Sequence, residues 1–521
     1  MRVKIEKNYL VLPTCSVAKR KKIRFLDGGK EVYLLNVRLD EKDPDFYAYI
    51  DVRRFMGKEL ELEIRPEMCV NVTQADKMEG EYDDCLRPYI HFTTKRGWIN
   101  DPNGLVKVGD EYHLFYQHNP AERMWGNMHW GHAVSKDLFH WKELPITLFP
   151  DETGSMYSGS AVIDEKNVSG LGKDGEKPIL IYYTAAGEHA TIPVPYTQCL
   201  AYSTDGLKTV QKYQKNPLIG HVVDRNRDPK VVWCEELNAY VMALFLADNE
   251  FALLRSEDLL HWEEFQRFVV PGEYECPNFY PLTASNGERK WVFTGARDVY
   301  WVGDFIDGQF TPCQDVKKMN EATSWYASQC FTDMPDGRTI RLPWLRSRMG
   351  KTFSQEIGLP CEVGLEWVDG GYYLTFQPAA ELSSLTQKSN PYTNVNLQEG
   401  KKIALNDCAV KVRLQGEWKE KGSINIVLFG VAIRLDFSKN QIVVDNQVNQ
   451  LSKTCSRLDV QIIADRATME FFCDEGKIAF ALSEQAVCDG NLPYVQINSD
   501  CAYEAERLEV EEYACAWEKL P

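Results

Sequence analysis

A repeat in the central third of the chain restricts its fold more than any other feature. Five β-rich runs begin at 110 (DEYHLFYQH), 176 (EKPILIYYTA), 237 (LNAYVMALFLA), 288 (ERKWVFTGA) and 336 (DGRTIRLPWL), at spacings of 66, 61, 51 and 48 residues. Each passes from a polar turn into an apolar or alternating run, as a hairpin strand does. A second echo keeps the register: SKDLFHW at 135–141 returns as SEDLLHW at 256–262, with STDGLKTV at 203 as a weaker copy. A β unit repeated at this length, four strands to a unit, buries its faces only by stacking on its neighbours. Five such units predict a five-bladed β-propeller over roughly 90–350.

A third set of motifs keeps the same beat, which a two-sheet sandwich with coincidental spacing does not explain. NDPNGL (100–105), SGSAVID (158–164), RDPKVVW (227–233), ECPNFYPL (275–282) and WYASQCF (325–331) each stand before one of the five runs. All are polar or charged heads leading into apolar strands. The first strand of a propeller blade lines the central channel, so the five heads are expected to converge at one mouth of it. Three heads carry an acid: Asp101, Asp228 and Glu275. Asp101 lies among turn formers in GWINDPNGL, where Pro fixes φ, Asn and Asp bond their own backbone and Gly accepts positive φ. A lone Asp-Pro is ordinarily a surface turn; an acid repeated with the blade period reads as a site residue.

Composition excludes several classes of partner. The chain has 521 residues, enough for two or three domains, and a formal net charge of −17. That charge argues against nucleic acid or an anionic membrane as partner. The 13 Trp and 25 Tyr suit a protein that stacks on sugar rings, although large β proteins also bury many aromatics. The 15 Cys show no CxxC pair and no zinc-like spacing. Their scatter through apolar strands reads as reduced thiols, and together with an N-terminus lacking a signal-peptide core it suggests a cytoplasmic setting. His129 and His132, three apart in a strand, point to opposite faces and read as structural rather than as a metal site.

Two carboxyl groups across a sugar are what glycoside hydrolysis needs, one as nucleophile and one as proton donor. Asp101, short and held on a Pro-bounded turn, suits the nucleophile. Glu275, beside Tyr274, Cys276, Phe279 and Tyr280, is expected in the drier setting of the acid/base. Asp228 follows Arg227, whose charge should keep it ionised in a holding role.

At these motifs the sequence resembles glycoside hydrolase family 32, the β-fructofuranosidases: invertases, levanases and exo-inulinases. The likeness runs from RPYIHFTTKRGWINDPNGL near 87 to LTFQPAAEL near 382 and continues more weakly to the end. WINDPNG looks like the family's nucleophile box, RDP its transition-state stabiliser box and EC its acid/base box. The resemblance therefore implies Asp101 as nucleophile, Asp228 as transition-state stabiliser and Glu275 as acid/base. It adds Asn100, Gln117, Trp125, Ser158 and Arg227 as fructose contacts, and implies a retaining mechanism with no metal or organic cofactor. Tyr157 before SGS, Ser324 in SWYASQ and the LPWLRS stretch depart from the usual pattern and are expected at the rim.

The implied activity is release of terminal β-D-fructofuranosyl units from fructo-oligosaccharides or fructans, inulin or levan type, and from sucrose. A sucrose or sucrose-6-phosphate hydrolase is the alternative. A fructosyltransferase and a non-catalytic fructan-binding propeller are more distant ones. The expected architecture is all-β: a small N-terminal β-domain over 1–84, the propeller over 85–355 with its last blade extending to about 380, and a β-sandwich over 385–521. The sandwich segments, such as AVKVRLQGEWKEKGSINIVLFG, alternate apolar and polar residues between short turns. The N-terminal domain is expected to serve packing or assembly into a homo-oligomer rather than sugar binding.

Overall fold

The structure is a computed structural model that describes residues 1–521 except 81, 83, 85, 174, 445, 452–456, 484–492 and 518–521. Five antiparallel four-stranded units follow one another through its centre. Their innermost strands are Gly97–Val108, Ser155–Ile163, Arg227–Cys234, Asn278–Thr283 and Trp325–Phe331. Each packs on the next, and the fifth packs on the first, so the five close into a ring. The second strands, Glu111–Asn119, Ile179–Ala186, Ala239–Ala247, Arg289–Thr294 and Ile340–Met349, are the runs of the sequence repeat. Ile179–Ala186 and Ala239–Ala247 are apolar on both sides because a neighbouring blade covers each face, and Ile179–Ala186 is buried throughout. The outermost strand Glu263–Val269 has no such cover and is largely polar and exposed.

The ring closes through hydrogen bonds as well as packing. After Ile340–Met349 the chain turns back as Phe353–Ile357, which pairs in parallel with the first inner strand, Phe353 opposite Gly97 and Ser354 opposite Trp98. Cys361–Val368 and Gly371–Pro378 complete the fifth unit. The SxDLxHW echo is an Asp-capped turn after the third strand of a blade. Asp137 accepts from the backbone N–H groups of Phe139 and His140 and from the His140 ring, and Asp258 does the same for Leu260 and His261. Blades three and four meet over an aromatic core of Phe251, Phe279, Trp291, Phe293 and Phe310, with Phe279 stacked on Trp291 at 4.7 Å.

C-terminal to the ring, two six-stranded antiparallel sheets form a sandwich over a core that includes Val412, Leu414, Ile426, Ile433, Phe471 and Phe480. One buried group joins sandwich to propeller. His91 lies between Asp465 at 2.9 Å and Glu470 at 2.8 Å, and Glu470 also accepts from the Trp325 indole N–H at 2.7 Å.

The N-terminal segment forms a four-stranded and a three-stranded sheet that lie against the first blade. Arg38 pairs with Glu122 at 2.6 Å, Asn36 and Asn127 exchange two hydrogen bonds, and the Arg54 guanidinium sits 3.5 Å over the Phe149 ring. His129 bonds the Tyr33 hydroxyl of this segment, while His132 stacks on Phe115 and bonds His113. Both histidines are thus packing groups. Cys199, Cys234, Cys276, Cys330 and Cys361 are buried free thiols. Cys408 departs from a uniformly reduced set: it is disulfide-bonded.

Candidate active site

Four of the five inner strands begin with a slipped ladder, and the slips carry polar heads. The ladder slips between Ile99 and Pro102, between Tyr157 and Gly159, between Arg227 and Lys230, and between Tyr326 and Gln329. A bulge of this kind leaves a residue unpaired and re-aims its side chain. Asp101, Ser158 and Asp228 fall inside three of these slips. The backbone is also left-handed at Asp228 (φ 65°), Glu275 (φ 30°), Cys276 (φ 45°) and Ala327 (φ 45°). Non-glycine residues adopt that region at a cost and cluster at functional sites. Gly159 completes the second bulge: a Cβ there would lie 2.0 Å from the Tyr182 carbonyl oxygen.

These heads meet in one open cavity of about 140 Å³. All eight residues singled out from the sequence line it: Asn100, Asp101, Gln117, Trp125, Ser158, Arg227, Asp228 and Glu275. Asp101 is held from three sides. Ser158 Oγ donates to its Oδ2 at 2.6 Å and Asn100 Nδ2 to its Oδ1 at 3.0 Å, with the Cys276 thiol at 3.7 Å. Asn100 is in turn fixed by the Trp98 indole N–H at 2.8 Å. The Asp228 carboxylate accepts from the Cys276 backbone N–H at 3.1 Å, and its own N–H donates to Thr184 Oγ1 at 3.0 Å. Thr184, on an otherwise apolar second strand, bonds Gln198 on the third. Gln117 donates to the Met156 carbonyl, which fixes its side chain in the wall.

Two expectations about charge need correction. Arg227 engages Glu275 as well as its sequence neighbour, and more closely: its Nη2 and Nε lie 2.7 and 3.1 Å from Glu275 Oε2, while it pairs with Asp228 at 3.7 Å. The guanidinium, stacked over the Phe245 ring at 4.5 Å, is aimed across the gap to the next blade. Nor is Glu275 the driest acid. Its side chain is 22% exposed and that of Asp228 6%. Burial accordingly raises Asp228, against the opposing charge of Arg227, with Glu275 and Asp101 adding to the rise. Burial likewise lifts Asp101 to about 6, opposed by the Ser158 hydrogen bond. Asp101 and Asp228, buried side by side, thus hold protons more tightly than isolated carboxylates.

Four more residues complete the wall: Met128, Tyr157, Tyr326 and Trp344. Tyr326 donates its hydroxyl to Glu275 Oε1 at 2.8 Å, so the fifth head contributes a phenol where three others contribute an acid. Its position in the head register was the signal for it. Tyr157 bonds His189 at 2.8 Å and meets Trp125 edge to face at 6.1 Å. Trp344 packs on Trp98 and Tyr326. Tyr157 and, from the LPWLRS stretch, Trp344 therefore line the cavity. Ser324 does not: its N–H donates to the Ala481 carbonyl and its hydroxyl meets Ser483, at the junction with the sandwich.

Residues 91–356 match the family model of the glycosyl hydrolases family 32 N-terminal domain. The chain is 34% identical over 345 residues to a levanase of Bacillus subtilis, covering 61% of this chain and 50% of that protein. It is 40% identical over 258 residues to an invertase of Schizosaccharomyces pombe, covering 45% of this chain and 44% of that protein. The chain thus spans about half the length of these two relatives. It is 31% identical over 432 residues to an extracellular exo-inulinase of Aspergillus awamori, covering 70% of this chain and 80% of that protein. The crystal structure of an exo-inulinase from Aspergillus awamori superposes with a TM-score of 0.74 at 25% identity, covering 84% of this chain and 100% of that one. The ring of five blades with its sandwich, the acids at the heads of its inner strands and these likenesses agree: the chain belongs to glycoside hydrolase family 32.

Proposed function

We propose that this protein is a retaining, exo-acting β-fructofuranosidase that releases terminal fructosyl units from short fructans and sucrose. The observation that carries the reading is the convergence on one cavity of Asp101 and Asp228, from two inner strands, and Glu275, from the turn that leads into a third. A cavity of only about 140 Å³, walled by blade heads, suits a chain end rather than the middle of a polymer. The levanase and exo-inulinase among the relatives support fructan as a substrate class.

In this reading the Asp101 carboxylate attacks the anomeric carbon of the terminal fructosyl unit. The bond to the leaving-group oxygen breaks, and that oxygen takes the proton of Glu275. Water then gives a proton to the Glu275 carboxylate, adds to the same carbon and frees Asp101. Ser158 and Asn100 hold Asp101 in line throughout. Arg227 and Tyr326 each grip one oxygen of Glu275, which fixes its direction for both proton transfers. Asp228, adjacent and buried, faces the positive charge that develops on the ring in the transition state. Gln117, Arg227 and the Trp125 indole supply polar and stacking contacts for the sugar.

The test is fructose release from sucrose, sucrose-6-phosphate, and inulin-type and levan-type oligomers. Asp101→Asn and Glu275→Gln are each expected to lower the rate by a factor on the order of 10³ or more, with unfolding transitions intact. Methanol offered as acceptor should yield methyl β-fructofuranoside, the product of retention. Near-normal activity in either variant overturns the assignment of roles, and the inverted glycoside overturns the mechanism. Preference for sucrose-6-phosphate would instead mark a phosphosugar hydrolase.

A further inference from the structure

We propose that the N-terminal β-domain builds part of the substrate cleft, a compartment for the neutral sugar units on the leaving-group side of the scissile bond. The inference rests on the fructosidase reading above and extends it beyond the propeller. A cavity of about 190 Å³ lies between this domain and the propeller mouth. Arg20, Lys22, Leu34 and Asn36 line it from the domain, facing Trp125, Tyr157 and His189. Trp125, Met128 and Tyr157 line the catalytic cavity as well. The two hollows therefore share a wall. A fructosyl unit seated against the acids leaves the rest of its chain at the mouth, beside that wall.

The domain presents this face by design of its sheet. Lys22 and Asn36 stand opposite each other in an antiparallel pair, so their side chains project from one face, and Leu34 follows two residues along on the same face. Among the described residues, the Lys22 ammonium has no ion pair and the Asn36 side-chain amide no hydrogen-bond partner. Arg20 ties the domain to the loop that carries the shared indole. Its Nη2 donates to the Trp125 carbonyl at 2.9 Å and lies 3.6 Å from Glu122, while its Nε is buried without a partner. Gly126 allows the approach, since a Cβ there would stand 3.1 Å from Arg20 Nη2.

The chemistry of the lining selects the ligand. Of the charged groups lining the hollow, Asp151 pairs with Lys212, Glu188 with Arg225, and Arg20 lies near Glu122. Among the described residues Lys22 alone is left there as a cation, and one solvated ammonium holds a free anion weakly. Hydroxyl groups both donate and accept, and such a mixed lining can bond them from either side. Trp125, 43% exposed, offers a flat face on which a sugar ring can stack. A chain of neutral sugar units fits donors, acceptors and an aromatic platform together.

The experiment compares kcat/KM on sucrose with that on inulin-type and levan-type oligomers of three to five units, for wild type, Lys22→Ala and Asn36→Ala. Neither side chain bonds the propeller, so neither change unseats the domain. The ratio of oligomer to sucrose is expected to fall by about three- to tenfold in each variant, the worth of one or two hydrogen bonds, and further for longer chains. An unchanged ratio at every length in both variants overturns the proposal. If the wild type releases fructose from no substrate, the fructosidase reading fails instead. Calorimetric titration of the same oligomers then judges the compartment alone: equal affinity in wild type and both variants overturns it, and a three- to tenfold weaker Kd upholds it.

Discussion

At the scale of single residues, the protonation of Asp101 controls whether the proposed chemistry can start. Its carboxyl is raised to about 6 by burial, with Ser158 pulling the other way and the charge of Glu275 adding to the rise. A nucleophile must be ionised, so activity belongs to pH above that value and is lost as pH falls through it. The acid limb of kcat/KM against pH is therefore expected near 6 with a neutral oligosaccharide. Ser158→Ala removes a 2.6 Å hydrogen bond to the charged form, so the limb should move to higher pH as well as the rate falling. A lower rate with an unmoved limb would mean that Ser158 serves only to position the sugar. Arg227, Asp228 and Glu275 show why the electrostatics could not be read from adjacency. Arg227 precedes Asp228 in sequence, yet its bulge aims it at Glu275 48 residues on. Which acid receives the guanidinium depends on the gap between two blades, and nothing in RDP or EC specifies that.

At the scale of elements, the five inner strands were legible because their heads are rich in Pro, Asn, Gly and acids while their bodies are apolar. The second strands were legible because a blade covered on both faces must be apolar throughout, as ILIYYTAA is. What the sequence did not announce is the local geometry of the heads. Glu275, Cys276 and Ala327 adopt left-handed backbone although none is Gly, Asn or Asp, and such conformations are imposed by surrounding packing rather than by local preference. Tyr326 was placed by its register but not by any property of a lone Tyr. Asp228 offers a way to separate backbone from charge. Asn tolerates a φ near 65° about as well as Asp does, whereas Ala does not. Asp228→Asn should therefore leave the unfolding free energy within about 0.5 kcal/mol of wild type while activity drops sharply. Asp228→Ala should lose activity and roughly 1–2 kcal/mol of stability as well. Equal stability of the two variants in urea titration would show that the left-handed turn is not strained by a side chain.

At the scale of the whole molecule, the propeller is held to the sandwich by a buried charge cluster that reaches back toward the site. Asp465 accepts from the backbone N–H groups of Tyr89 and Ile90, and Glu470 from the Trp325 indole and the Leu359 N–H. His91 lies between the two carboxylates. Trp325 immediately precedes Tyr326, whose hydroxyl holds Glu275, so the sandwich braces the strand that carries the fifth head. Burial opposes the charge on His91, but Glu470 and Asp465, one on each ring nitrogen, outweigh it and raise the imidazole well above 6.5. That contribution to stability is complete below the unfolded value and is lost as pH rises through the folded one. Glu356 acts in the same direction: burial raises it to about 7, with His91 opposing, so holding it folded becomes costlier as pH climbs from 4.5 to neutrality. The unfolding midpoint in urea should accordingly decline from mildly acidic pH toward pH 9. His91→Gln strands two buried carboxylates without their cation and should remove about 3–5 kcal/mol near pH 6, and the decline with pH should flatten because the titrating imidazole is gone. A His91→Gln variant that kept the wild-type slope would place the decline in buried carboxyl groups such as Glu356 rather than in the imidazole.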